Sequence, residues 1–311
     1  MVSENKAIEH KCIVVCGPTA TGKTRIAVRI AAEHNGEIVS ADSRQVYRTL
    51  DIGSGKDLCE YRIGGKTVPY HCIDIAEPET VFTLYQYLDE FNRSCNGIIR
   101  RGALPVIAGG TGLYIEGALK EYDVPHAPED VVLREELMTK EKDDLIDMLK
   151  KYPDIFARTD LSSKKRIVRS LEIAIGEEKG TISGHEREKL APMTKLVLGI
   201  FYDREILHAR ILARLESRLD SGMIEEVERL VSHVKPERIR MFGMEYSHVA
   251  SYLWNEVSYD QMKENLYHSI CRLAKRQMTW FRGMSKRGIP VIWVNGDDQP
   301  AIDEHVEKFL E

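Results

Sequence analysis

Apolar residues in the first 120 positions fall into short continuous runs separated by amphipathic stretches. Cys12-Ile13-Val14-Val15-Cys16, Ile38-Val39-Ser40, His71-Cys72-Ile73-Asp74-Ile75 and Leu104–Ala108 each read as a β-strand. Helix-compatible segments follow them, for instance Arg25–His34 and Leu84–Arg100, the latter stopping at Arg101-Gly102. This alternation predicts βαβ units and a parallel sheet covered by helices. From Pro128 to Glu178 the pattern turns helical and charged, without a strong β run. Leu196–Phe201 returns as a strand, followed by long helical stretches over Glu205–Val234 and Tyr246–Lys286, a strand at Pro290–Val294 and a short C-terminal helix. The expected organisation is a parallel α/β core over residues 1–120 and 190–311, interrupted by a mainly helical insertion over 121–189. No internal repeat or low-complexity tract interrupts this plan.

Composition changes little in that picture. With 311 residues, 43% hydrophobic and 30% charged, the chain has the profile of an ordinary globular protein. Its longest apolar runs, Leu104–Ala108 and Ile289–Val294, are far too short for a membrane span, and Met1–Lys11 is too polar for a secretory signal. The six cysteines form no C-x-x-C pair, so buried free thiols in a reducing cytoplasm are expected. A net charge of −5 argues against general nucleic-acid binding, although the sum hides local patches. Lys164-Lys165-Arg166 with Arg169 forms one; Arg272, Lys275, Arg276 and Arg282 form another. Charge alone leaves both as solvated helix faces.

The clearest chemistry is at Gly17, Pro18, Thr19, Ala20, Thr21, Gly22, Lys23 and Thr24, a complete G-x-x-x-x-G-K-[ST] phosphate loop between a strand and a helix. Its backbone N–H groups and the positive helix end suit a phosphate, Lys23 adds a point charge, and Thr24 offers a hydroxyl to Mg2+. Asp42 stands at the end of the second strand, the edge where an open parallel sheet binds its ligand. A carboxylate there serves as base, metal ligand or cap of a following helix, and position alone does not choose. Gly109-Gly110-Thr111-Gly112 reaches the same rim, where glycines serve a close ligand or a tight turn equally well. His71 opens a strand, and a lone histidine is more often structural than catalytic. Arg210 and Arg214 share a helical face and either clamp a diphosphate or face water. The apolar strand ending in paired acids typical of an ATPase is missing; Ile73-Asp74-Ile75 is a weak approach to it. From the loop and Asp42 alone, a small-molecule kinase is the leading reading.

Taken together, GPTATGKT (17–24), SADSRQVYRTLDIGSGK (40–56), HCIDI (71–75), RGALPVIAGGTGLYI (101–115), KKRIVRSLEI (164–173) and LAKRQMTWFR (273–282) resemble the tRNA dimethylallyltransferases, or tRNA isopentenyltransferases. The resemblance implies a P-loop NTPase-like parallel sheet flanked by helices, with a helical insertion domain. It implies transfer of a dimethylallyl group from its diphosphate to the exocyclic amine of the adenosine 3′ of certain tRNA anticodons. The loop then holds the isoprenoid diphosphate. By the same resemblance Asp42 takes the general-base position, Lys23, Thr24 and Arg214 bind diphosphate with Mg2+, and His71 matches a histidine of the active-site region. Asp42, Ser43, Arg44, Gln45, Thr111, Lys165, Arg166 and Arg169 match segments that contact the anticodon stem-loop. A cytoplasmic, bacterial-type monomer is expected. Residues 120–161 match poorly, and Gly243-Met244-Glu245-Tyr246 departs from the G-Y-[KR]-E/Q element common in the family. An adenylate isopentenyltransferase, prenylating free AMP, shares the loop and Asp42 but has no need of the basic helix or the AKRQMTWFR segment.

Overall fold

The computed structural model describes residues 10–182 and 187–311. Its strands are β1 His10–Cys16, β2 Gly36–Ser40, β3 Arg62–Ile63, β4 Lys66–Thr67, β5 Tyr70–His71, β6 Leu104–Gly109, β7 Met193–Phe201 and β8 Ile292–Asn295. Six of them form one sheet in the order β5-β2-β6-β1-β7-β8, every neighbouring pair parallel. The β-branched run of β1 sits at the centre, Val14 facing Ile107 of β6 and Val197 of β7, and Cys12–Cys16 are fully buried. Burial on both faces is why the run is continuously apolar rather than alternating. All parallel strands end at one edge, and the order changes direction beside β1, the place where such sheets form a crevice.

Helices α1 Lys23–Glu33, α2 Leu84–Arg100 and α3 Gly112–Leu119 follow the N-terminal strands. A Thr83–Gln86 capping box starts α2. Four helices, α4 Val131–Thr139, α5 Lys142–Leu149, α6 Pro153–Arg158 and α7 Lys164–Glu178, build a second unit, Asp123–Arg187, separate from the unit formed by the chain to Tyr122 and from Glu188 onward. Its core is Leu137, Leu145, Leu149, Ile167, Val168 and Leu171, and Arg134 holds the buried Glu172 through two bonds of 3.0 and 2.6 Å. The main unit continues with α8 Arg204–Asp220, α9 Met223–Val231, α10 Pro236–Met241, α11 Met244–Leu253, α12 Tyr259–Lys286 and α13 Gln299–Leu310.

Three elements differ from the pattern reading. The expected strand His71–Ile75 is confined to Tyr70–His71, since Cys72 and Asp74 adopt left-handed φ of 61° and 55°. The buried Lys56 ammonium draws the Asp74 carboxylate to itself, and the chain turns to supply it. The long helix expected over Glu205–Val234 is two helices, broken where Gly222 takes φ 98°. No helix follows Asp42: residues 43–46 are turns, which removes the reading of Asp42 as a helix cap. All six cysteines are free, and burial pushes the Cys12, Cys16 and Cys72 thiols up to about 12. No described helix is long and apolar enough to cross a membrane.

Candidate active site

The loop from Gly17 to Gly22 spans the end of β1 and the start of α1. Its shape is braced from within and without. The Thr21 hydroxyl donates to the Pro18 carbonyl at 2.9 Å, and Arg210 Nε on α8 donates to the Ala20 carbonyl at 2.8 Å while its guanidinium covers the Tyr202 ring at 4.5 Å. Lys23 Nζ reaches the Pro18 carbonyl at 3.3 Å, a long contact that leaves the ammonium poorly compensated. Burial, then the neighbouring Arg214 guanidinium, push the Lys23 ammonium down to about 8.

A second clasp comes from a distant segment. The Thr19 N–H donates to Gln277 Oε1 (2.8 Å), and Gln277 Nε2 donates to the Gly110 carbonyl (2.9 Å), so one amide on α12 ties the phosphate loop to the Gly109–Gly112 loop. A Cβ on Gly110 would lie 2.6 Å from Gln277 Nε2, and one on Gly112 would overlap the Trp280 ring. These glycines therefore admit α12, and the AKRQMTWFR segment is the surface that packs there. Thr111 takes the Ser43 N–H on its hydroxyl at 3.0 Å, and Asp42 Oδ1 takes the Arg44 N–H at 2.9 Å, forming an Asx turn. Asp42, Ser43, Arg44 and Thr111 thus meet at one rim.

Two cavities open at this edge. One of about 450 Å3 is lined by Thr19, Lys23, Thr24, Asp42–Gln45, Thr111, Gln277 and Trp280 among others. The other, about 720 Å3, is lined by Gly22, Arg25, Asp57, Leu58, Arg210 and Ala213 among others. Lys23, Thr24, Arg214 and Arg218 line both. Arg214 is tied to Asp57 at 2.5 Å. The far wall is the loop Asp51–Lys56, suspended from α9: the buried Glu226 carboxylate accepts the N–H groups of Asp51, Ile52 and Gly53 (3.1, 2.7 and 3.1 Å) and the Tyr246 hydroxyl (2.8 Å).

Most residues expected from the sequence converge on these cavities, and some do not. Gln45 lines the rim but is buried with its amide already used, accepting from the Ser40 hydroxyl (2.9 Å) and donating to the Gly55 carbonyl (3.0 Å). His71 lines neither cavity; it bonds Glu37 at 2.7 Å, and Glu37 also holds Arg101, first cause of a carboxyl pK below the ordinary value. Lys165, Arg166 and Arg169 lie on α7 of the other unit. There Arg166 pairs with Asp160 and Arg169 donates to the Ala127 carbonyl, whereas Lys165 is exposed. Sequence reasoning gave no role to Arg218, Gln277 or Glu226, nor to Glu245, which also lines the smaller cavity. Arg218 had a local signal, since it continues the spacing of Arg210 and Arg214 by one more turn, and Gln277 lies within the LAKRQMTWFR segment.

A phosphate loop on a parallel sheet, with a cationic junction and a carboxylate at its rim, defines an α/β enzyme of the P-loop type acting on a phosphorylated compound. Residues 45–284 match the IPP transferase family and residues 10–65 the isopentenyl transferase family. The chain is 44% identical over 301 residues to tRNA dimethylallyltransferase 1 of Syntrophus aciditrophicus, covering 96% of this chain and 98% of that one. It is 42% identical over 287 residues to the protein of the same name from Parabacteroides distasonis, covering 92% of each. Among solved structures, the full-length tRNA isopentenylpyrophosphate transferase of Bacillus halodurans superposes with TM-score 0.69 at 29% identity, over 97% of this chain and 98% of that one. A eukaryotic dimethylallyltransferase acting on tRNA shares the fold at TM-score 0.76 and 22% identity, over 96% of this chain and 77% of that one. The chain belongs to the IPP transferase family.

Proposed function

We propose that this enzyme transfers a dimethylallyl group from dimethylallyl diphosphate to the exocyclic N6 amine of the adenosine 3′ of the anticodon in tRNA, releasing diphosphate. The observation that carries the reading is the pair of cavities sharing Lys23, Thr24, Arg214 and Arg218, with Asp42 lining only one of them. A diphosphate at the shared cations leaves an adenine room on the Asp42 side and a second route of entry on the other. The nearest approach to an ATPase acidic strand supports the same reading by default, because Asp74 is already engaged by Lys56.

In the reaction the allylic C–O bond breaks as the N6–C bond forms, and the electrons of the broken bond leave on diphosphate. Loop amides, Lys23 and Arg214 stabilise that accumulating charge. The adenine amine is a weak nucleophile because its lone pair conjugates with the ring. Asp42 orients it and accepts its proton as the new bond forms. The adenine must leave its stack to enter a pocket, which favours a loop nucleotide. Among the described residues no cluster of three acidic, histidine or cysteine side chains is set to hold a metal. The Thr24 hydroxyl would be the protein's contact to Mg2+ bound with the diphosphate, and the ion would neutralise leaving-group charge there. Exposed Lys165, with Arg166 and Arg169, supplies phosphate contacts from the Asp123–Arg187 unit, as do Lys275, Arg276 and Arg282, exposed on α12. The reading carries with it a monomer working in the cytoplasm.

The test is transfer of labelled dimethylallyl diphosphate, with Mg2+, to unmodified tRNA carrying an adenosine-rich anticodon loop, with AMP offered in parallel. Label in tRNA and not AMP is the expected result. Label in AMP instead assigns the chain to free-nucleotide prenylation, and ATP turnover without prenyl transfer refutes both.

A further inference from the structure

Arg218 sits where the two cavities share lining, on the same face of α8 as Arg214 and one turn beyond it. Its side chain is only 12% exposed, and its Nε is buried without a hydrogen-bond partner among the described residues. A buried guanidinium carries five donors and loses strong hydration when it leaves water, so an orphan N–H on it is costly. Its nearest ion-pair partner is Asp57, at 4.0 Å, and that carboxylate lies much closer to Arg214, at 2.5 Å. Within ion-pair distance one carboxylate therefore answers two guanidiniums, with Glu245 adding a longer-range attraction to Arg218 and Lys23 a third cation on the same wall. Asp57 does so from a left-handed backbone (φ 41°, ψ 49°) that a side-chain-bearing residue rarely adopts. Burial and then Arg214 hold Arg218 below its ordinary pK, while Glu245 and Asp57 act against them. Burial and Arg214 thus oppose this cation, and the carboxylates that offset them leave its Nε without a partner.

We infer that Arg218 is a second guanidinium for the departing diphosphate, and that Asp57 stands in for that diphosphate until substrate arrives. Two arginines four residues apart present adjacent planar forks, a geometry matched by a diphosphate, whose oxygens are distributed over two phosphorus centres. On binding, the diphosphate takes the Arg214 contact from Asp57 and satisfies the Arg218 donors. The inference rests on the reading that the phosphate loop takes a prenyl diphosphate.

The experiment is calorimetric titration of the full chain with inorganic diphosphate and Mg2+, with unliganded thermal unfolding of each variant as a check of fold. Arg218→Met weakens binding by about tenfold to a hundredfold, the range expected for hydrogen bonds to a charged group, and Arg218→Lys lies between it and wild type. Asp57→Asn tightens binding by about threefold to tenfold, on the scale of one partly exposed ion pair removed as competitor. A gain in affinity is an outcome that a merely damaged fold does not produce. If Lys23→Met weakens binding while Arg218→Met binds as wild type, the Arg218 assignment is wrong and the loop reading stands. If Asp57→Asn is unchanged or weaker, Asp57 is no surrogate. If wild type fails to bind diphosphate, or Lys23→Met binds equally well, the loop reading beneath the inference fails.

Discussion

Two groups of charge around the same cavity behave oppositely. In the far wall of the larger cavity, Lys56 is 1% exposed and pairs with both Asp51, at 2.7 Å, and Asp74, while the Glu226 carboxylate behind that wall takes three backbone N–H groups and a hydroxyl. Within the cavities, Lys23 has one long contact and Arg218 an orphan N–H. Both arrangements remove ions from water, but only the first replaces what water supplied. A satisfied buried charge positions backbone; an under-compensated one waits for a ligand. That distinction identifies the site more sharply than burial or charge alone.

The contrast can be broken at several points. The largest effect is expected at Asp42, which is tied into a turn but lines the cavity: Asp42→Ala lowers the transfer rate by about a thousandfold or more, the upper range of general acid–base effects, with tRNA affinity within about threefold. Single-turnover rates and filter binding measure the two separately, and near-normal turnover removes Asp42 from the mechanism. Next is the scaffold. Glu226→Ala strands the N–H groups of Asp51, Ile52 and Gly53 and costs about 3 kcal/mol of stability, read as a shifted denaturant midpoint. A midpoint unmoved by that change sinks the view of Glu226 as an anchor.

The site charges are expected to respond in the other direction. Because the folded protein holds Lys23 near 8 against an ordinary 10.5, its cation destabilises the fold below about pH 8. That penalty fades as pH rises from 8 towards 10.5, where the unfolded chain also loses the proton. Lys23→Met should therefore raise the melting temperature at pH 7 and progressively less above pH 8, while abolishing diphosphate binding. A variant that melts lower at pH 7 makes Lys23 part of the scaffold instead. The smallest effect is at the other unit: Lys165→Ala with Arg166→Ala weakens tRNA binding and reduces the salt slope by about one to two, the partial loss reflecting the Arg166–Asp160 pair. An unchanged slope returns α7 to an ordinary solvated face.

The parallel sheet, the phosphate loop and the place of Asp42 were legible along the chain because each is a local pattern: a continuous apolar run, a fixed motif, a strand end. Misreadings came where a distant group overrode a local one. Ile73-Asp74-Ile75 has strand character, yet Lys56 turns it aside. His71 lies in a matching segment, yet Glu37, itself held by Arg101, bonds it away from the cavities. Gly110 and Gly112 suggested room for a ligand or a turn, and they line the smaller cavity while also making room for Gln277 and Trp280.

What the sequence determined by itself was a phosphate-loop motif at the end of the first strand of a parallel sheet, since periodicity and motif act over a few residues and need no partner. Which charges would be satisfied was decided only by the tertiary structure. Gln277 meets Thr19 across 258 positions, Glu226 meets Asp51 across 175, and Arg214 meets Asp57 across 157. The strength of a charge in a protein depends on the water it loses and the partners it gains, and both are set by residues that only folding brings together.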